Sequence, residues 1–200
     1  MSPPPLILAS ASKARGELLR HAGIAFTAAP AAIDEDEIKA AFRTERRPAA
    51  ECATALAEAK GVLVARRHPG SLVIGADQML VCDGVWFDKP ADLAAARAQL
   101  LALRGRRHEL ISAICVVRDG ERLWHFVDRS TLIMRDFSDR FLDDYLAAVG
   151  EAVRGAVGAY HLEGLGVQLF ERIEGGYFAI LGLPLLPLLD FLRGHGIVAR

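Results

Sequence analysis

The sequence predicts an α/β or α+β fold with a substantial sheet, on three observations. Leu72-Val73-Ile74-Gly75-Ala76 is a continuous apolar run, as expected of a strand covered on both faces. Ala49 to Arg67 is rich in alanine, with Leu56, Lys60 and Leu63 at helical spacing. Two Asp-Gly pairs, Asp83-Gly84 and Asp119-Gly120, sit between strand-like runs and signal tight hairpins.

The remaining elements follow in order. Leu6-Ile7-Leu8-Ala9 reads as a short buried strand feeding a basic helix start, Ser10-Ala11-Ser12-Lys13-Ala14-Arg15. Leu18-Leu19 supply that helix's apolar stripe and Gly23 its C′ residue. Ile24-Ala25-Phe26 looks like a second strand leading into an acidic turn, Ile33 to Glu37. Pro69-Gly70 breaks the Ala-rich helix, and Pro90 opens another that reaches Leu103 and ends near Gly105. Leu110–Val117 and Arg122–Met134 form the second hairpin, and Ser138 opens a helix through Tyr145 to Val149. Gly150 to Gly166 is glycine-rich but too mixed in composition for a linker. Gln168-Leu169-Phe170 reads as a strand, Gly175-Gly176 as a turn, and Pro184 as the N1 residue of a last helix, Leu185 to Arg193. No repeat or domain-splitting linker interrupts the chain, so residues 1–200 are expected to form a single domain with residues 1–5 as a flexible lead.

Composition narrows the function classes. A hydrophobic fraction of 52% in 200 residues implies a well-buried core. The 24 basic residues nearly cancel the 25 acidic ones, leaving no global field to grip a nucleic acid or an anionic membrane. Any polyanion must therefore be small and held locally. Cys52, Cys82 and Cys115 lack metal-ligand or disulfide-framework spacing, which fits a reducing compartment. The lead has no signal-peptide pattern, and Ile180 to Leu192 is too short and proline-interrupted to span a bilayer. A cytoplasmic protein without nucleic-acid or membrane partners is expected.

Several residues could carry chemistry. The unpaired N–H groups at a helix start suit a phosphate. Ser10 and Ser12 could donate hydrogen bonds there and Lys13 and Arg15 could add charge, although capping and a solvated basic face explain the same residues. Asp77 follows the apolar run Leu72–Ala76 directly, at the expected carboxyl end of that strand, where ligands of open α/β sheets gather. A carboxylate there could bind a divalent ion, deprotonate a water or cap the strand end. Lys60 and Lys89, if they converged on Asp77, would form a phosphate cage; singly, each reads as a surface lysine. Glu35 is a candidate second metal ligand or simply part of an acidic loop. His108 reads as structural, and Trp86 and Trp124 as cover for the core.

Taken as an ordered set, these pieces resemble the Maf family of nucleoside triphosphate pyrophosphatases, named for an association with septum formation. The resemblance runs from Leu6 to Leu192. Its motifs are Ser10-Ala11-Ser12-Lys13-Ala14-Arg15 with Leu18-Leu19, Asp34-Glu35, Leu56-Ala57-Glu58-Ala59-Lys60, Gly75-Ala76-Asp77, Lys89-Pro90, the segment ending at His108, Gly158-Ala159-Tyr160 and Gly182-Leu183-Pro184-Leu185. It implies a two-lobed α/β fold of the Maf/ITPase-like kind, with a long curved mixed sheet, surrounding helices and an interlobe active-site cleft. The implied reaction is hydrolysis between the α- and β-phosphates, releasing a nucleoside monophosphate and pyrophosphate. Asp77 would accept the water proton or hold metal. Glu35 would help hold Mg²⁺, with Mn²⁺ as a substitute, and Ser10, Ser12, Arg15, Lys60 and Lys89 would bind the polyphosphate. The family often forms dimers, so a homodimer is allowed but not decided by the sequence.

Departures from the family pattern bear on the substrate. Lys13 replaces the usual proline, Ala14 stands where many members carry Arg or Trp, and Gly155-Ala156 replaces a common Asp-Lys pair. Members acting on dTTP and UTP usually have Thr after the aspartate and Gln in a later Gly-Ile-Gln-Gly element. Here those positions are Gln78 and Glu163, which resembles the branch acting on 7-methyl-GTP. Ala14, Gln78 and Glu163 are thus the expected base-specificity positions. A guanine edge offers N1–H and N2–H₂ donors to a carboxylate, and the cationic methylated base favours an anion further. Two alternatives remain: the same reaction on pyrimidine nucleotides, or a nucleotide-binding regulator of cell division with little catalysis.

Overall fold

A computed structural model describes residues 3–199. The expected lead Met1–Pro5 falls partly, at Met1 and Ser2, outside the described residues; Pro3–Pro5 carry no regular structure. Along the chain the elements are β1 (Leu6–Leu8), α1 (Lys13–His21), β2 (Thr27–Ala28), α2 (Glu35–Thr44), α3 (Ala49–Ala65), β3 (Leu72–Cys82), β4 (Val85–Phe87) and α4 (Leu93–Leu103). There follow β5 (Arg107–Arg118), β6 (Glu121–Met134), α5 (Asp139–Val149), β7 (Phe170–Glu174), α6 (Tyr177–Ile180) and α7 (Leu185–Gly194), with three short 3₁₀ segments between α5 and β7.

The strands form one seven-stranded sheet in the order β2-β1-β3-β5-β6-β7, with β4 paired to β3. It is mixed, as expected: β1 runs parallel to β2 and β3, whereas β4 is antiparallel to β3 and β7 to β6. The fold is α/β. By contacts the described chain divides into two units. The first runs to Gln78 and includes Ser112–Asp128 and the chain from Gly176 onward; the second holds Met79–Ile111 and Arg129–Gly175.

In the first unit, side-chain alternation along β3 sorts the packing. Leu72, Ile74 and Ala76 join Leu6, Leu8, Leu18, Leu19 and Leu188 in one apolar cluster, so that face carries α1 and α7. The opposite face carries α3, which approaches unusually closely. A Cβ at Gly75 would run into the Ala57 carbonyl oxygen and stand 2.9 Å from the Gly61 nitrogen. Gly61 is constrained less severely: its Cβ would lie 2.8 Å from Val117 Cγ2, a side-chain atom of a neighbouring residue, and 3.7 Å from the Gly75 nitrogen. Glycine at both positions lets the helix backbone lie on the strand.

In the second unit, α4 starts at Asp92, whose carboxylate accepts the Ala95 N–H at 2.7 Å, and α5 starts at Ser138, which accepts the Phe141 N–H at 3.2 Å. His108 lies inside β5, fully covered, with Nε2 2.9 Å from the Tyr160 hydroxyl and both rings packed on Phe170. This bears out its structural reading.

Four expectations need correction. Ile24 is not in a strand: its N–H closes the α1 terminus on the Leu19 carbonyl at 3.0 Å, and pairing with β1 begins only at Thr27. The acidic turn opens α2, because Asp34 accepts the Glu37 N–H at 2.9 Å and the acids of the first turn suit the positive helix end. The strand expected at Gln168–Phe170 begins at Phe170, the preceding residues forming a 3₁₀ turn. Finally, β3 does not stop at Ala76. It continues to Cys82, with Leu80–Cys82 paired to β4, so Asp77 sits in mid-strand rather than at a strand end.

Candidate active site

The first unit brings Asp77, Lys60 and Glu35 together. Lys60 lies on α3, on the side turned toward β3, with its side chain 11% exposed. The close approach at Gly75 lets it reach Asp77, whose Oδ1 accepts a hydrogen bond from Lys60 Nζ at 2.6 Å. Glu35, at the start of α2, places Oε1 2.7 Å from the same ammonium. Its other oxygen, Oε2, lies 3.6 Å from Lys39 Nζ, one helical turn on. Lys39 was not singled out from the sequence, although the Glu35–Lys39 spacing of four residues is a readable signal.

Electrostatically the centre is strained on the acid side. Burial raises the pKa of Asp77, with Glu35 adding to the rise, while the Lys60 and Arg15 charges and the Lys60 hydrogen bond oppose it. A carboxylate so raised is a stronger base than an exposed one.

Arg15 does more than present charge. Its Nε donates to the Gly182 carbonyl at 2.8 Å, and its Nη1 donates to the Ala76 carbonyl at 2.9 Å and to Ser10 Oγ at 3.1 Å. It therefore ties the start of α1 to β3 and to the loop before α7. Burial lowers its pKa, against the pull of Asp77 and Glu35. Ser12 caps α1 by accepting the Arg15 N–H at 3.4 Å, and Ser10 Oγ accepts the Ser12 N–H at 3.2 Å. Both serines thus shape the helix start, and Ala14 lies in its first turn, half-buried.

Gln78 follows Asp77 but projects from the other face of β3. Its Nε2 donates to Ser112 Oγ at 2.9 Å and to the carbonyls of Ala179 and Ile180 at 3.2 and 3.0 Å, while Ser112 itself donates to Ala179 at 2.7 Å. The amide nitrogen is therefore turned inward, which leaves only its carbonyl oxygen, an acceptor, for another partner. Ser112 escaped the sequence reading, because no local pattern links it to a residue 67 positions away.

Lys89 and Glu163 belong to the second unit. Lys89 is exposed between β4 and α4. Glu163 faces His161, with Oε1 3.7 Å from Nδ1, while His161 Nε2 lies 2.9 Å from the Ala152 carbonyl. Each favours the charged form of the other: the pair raises the His161 pKa and lowers that of Glu163.

Asp77 and Glu35 converge on the Lys60 ammonium, and among the described residues no group of three or more His, Cys, Asp or Glu side chains is arranged to hold a metal ion. The oxygens of Asp77 and Glu35 are donors of the kind Mg²⁺ takes alongside waters and substrate phosphates, but the position the two carboxylates share is held by the Lys60 ammonium.

Comparison with known proteins identifies the family. The family model for Maf-like proteins matches residues 5–195. A protein of Paramagnetospirillum magneticum named nucleoside triphosphate pyrophosphatase is 60% identical over 95% of this chain and 98% of its own length. One of Granulibacter bethesdensis with the same name is 57% identical over 95% of this chain and 96% of its own. A protein of Rhizobium meliloti named 7-methyl-GTP pyrophosphatase is 49% identical, covering 98% of each chain. The coverage is nearly complete in every case, and the chain belongs to the Maf family.

Proposed function

We propose that this protein is a nucleoside triphosphate pyrophosphatase that cleaves the α–β phosphate bond of a modified purine nucleotide, 7-methyl-GTP being the favoured substrate. The observation that carries the reaction is the buried Lys60 ammonium held between Asp77 and Glu35, with Arg15 beside them. Positioning and charge neutralisation do most of the work in phosphoryl transfer. Lys60, Arg15, Ser10 and Ser12 bind the polyphosphate, a role that the family resemblance also gives to Lys89. Asp77 accepts a proton from a water whose oxygen bonds to phosphorus as the bridging P–O bond breaks. Pyrophosphate leaves with the bridging electron pair, and the proton on Asp77 returns to solvent. Asp77 and Glu35 would hold Mg²⁺, which when bound neutralises phosphate charge. That use of Asp77 as a ligand competes with its use as the base.

Glu163, Gln78 and Ala14 stand at the positions to which the family resemblance gives base selection. The Glu163 carboxylate suits the donor edge of guanine and the positive charge of its methylated form. Gln78, with its amide nitrogen turned inward, offers an acceptor as well. The name of the Rhizobium meliloti relative supports the same reading.

Pyrophosphate release from a panel of triphosphates in Mg²⁺ or Mn²⁺ tests this. Preference for 7-methyl-GTP supports it. Preference for dTTP or UTP keeps the reaction and overturns the substrate. Binding without turnover of any member favours a nucleotide-sensing regulator of division instead.

A further inference from the structure

Asp77, Lys60, Glu35 and Lys39 form an unbroken chain of alternating charge, linked at 2.6, 2.7 and 3.6 Å. The first three positions are those already assigned to the phosphate and metal site; the fourth has no assigned role. An ordinary Glu–Lys pair one turn apart on a helix surface would leave the lysine in solvent. Here the order is reversed: the Lys39 side chain is 12% exposed and Glu35 is 41% exposed. Lys39 is thus the more buried partner of the pair, and it shares Glu35 with Lys60.

Residue usage points the same way. The chain carries 24 basic residues, of which only four are lysines: Lys13, Lys39, Lys60 and Lys89. Arginine serves almost everywhere else, including the surface ion pairs to Glu51, Glu58 and Asp143. Lys13 opens α1 beside the Ser10–Ser12 segment, and Lys60 and Lys89 are assigned to the polyphosphate. A compact ammonium with three rotatable donors can turn from a carboxylate to a phosphate oxygen more readily than a planar guanidinium fork. Charge balance supplies the need. Lys60 and Arg15 already face Asp77 and Glu35, so an entering triphosphate brings negative charge that those two cations do not neutralise. The last link of the chain is the longest: Glu35 stands nearer to Lys60 than to Lys39.

We infer that Lys39 is an additional phosphate-binding residue, exchanging Glu35 for the β- and γ-phosphates, the half of the substrate that leaves as pyrophosphate. The inference rests on the pyrophosphatase reading above, and its test separates the two. Titration calorimetry in Mg²⁺ measures binding of inorganic pyrophosphate and of 7-methyl-GMP to four proteins: wild type, Lys39→Met, Lys39→Arg and Arg140→Met. Arg140 is an exposed residue of the second unit that controls for net charge.

Lys39→Met, which keeps the buried aliphatic length, should weaken pyrophosphate binding roughly tenfold, a loss of about 1.4 kcal/mol, and change monophosphate binding less than about twofold. Lys39→Arg should recover at least half of the lost affinity, and Arg140→Met should match wild type. Wild-type pyrophosphate affinity in Lys39→Met, an equal loss toward both products, or a comparable loss in Arg140→Met overturns the assignment of Lys39. Failure of the wild type to bind pyrophosphate and to cleave any triphosphate overturns the pyrophosphatase reading itself.

Discussion

Lys60 Nζ stands 2.6 Å from Asp77 Oδ1, and the two meet because Gly75, two residues before the aspartate, lets α3 lie directly on β3. The ion pair and the backbone approach are one feature. Asp77 stays buried as a charge only while α3 is close enough to bring an ammonium to it.

Gly75→Ala therefore acts on the site from outside it. Its methyl group meets the Ala57 carbonyl and the Gly61 nitrogen, both backbone, so the helix has to shift. Overpacking of this kind costs about 1–3 kcal/mol. We expect a lower urea midpoint together with a loss of pyrophosphate release in the molecules that remain folded. Wild-type stability would show that α3 can move away without cost.

Removing the ammonium should have a pH signature. The Asp77 pKa is raised in the folded protein, so its contribution to stability is full below the unfolded carboxylate value and falls as pH rises through the folded value. Lys60→Met raises that pKa further and leaves a buried carboxylate without its cation. The variant should lose about 3 kcal/mol at neutral pH and regain much of it in acid, where Asp77 is neutral. Denaturant melts at a series of pH values measure this; a deficit independent of pH would contradict it.

His108 gives the opposite slope. Burial lowers its pKa to about 4, below the ordinary imidazole value, so the folded state holds it neutral while the unfolded chain protonates. Stability is lost as pH falls from about 6.5 to 4, by about 3 kcal/mol over the full window. His108→Phe should flatten the stability curve in that interval relative to wild type, despite losing the Tyr160 contact. An unchanged slope would mean that His108 is protonated in the folded protein.

Local pattern marks Asp77, Lys60, Glu35 and Arg15 as candidates but leaves each with an ordinary structural explanation, and it is the family resemblance that groups them in one site. What the pattern could not show was convergence. Asp77 reads as a strand end because the apolar run stops at Ala76, whereas β3 runs on through the polar pair Asp77-Gln78 to Cys82. The start of α2 was hidden by its own capping, since four consecutive acids read equally well as a solvated loop. The roles of Ser112 and of the inward amide of Gln78 depend on carbonyls of Ala179 and Ile180, about a hundred residues beyond Gln78.

Glu163 and His161 offer a test of base selection. Glu163→Gln keeps the shape and removes the anion. It should lower kcat/KM for 7-methyl-GTP about tenfold more than for UTP, the loss of a charge-assisted hydrogen bond. The same change should bring the His161 pKa down, since the hydrogen bond to Glu163 is the chief cause of its rise. Equal losses on both nucleotides would remove Glu163 from base selection.

The most direct measurement compares wild type with Asp77→Asn in pyrophosphate release and in binding of a non-hydrolysable triphosphate. Asn preserves size and hydrogen-bonding geometry but can neither accept the water proton nor hold a cation as a carboxylate does. The expected result is loss of turnover by at least about a hundredfold, with the triphosphate still bound, as for removal of a general base. Turnover near that of the wild type would contradict the assignment of Asp77 and, with it, the mechanism built on the Lys60–Asp77 pair.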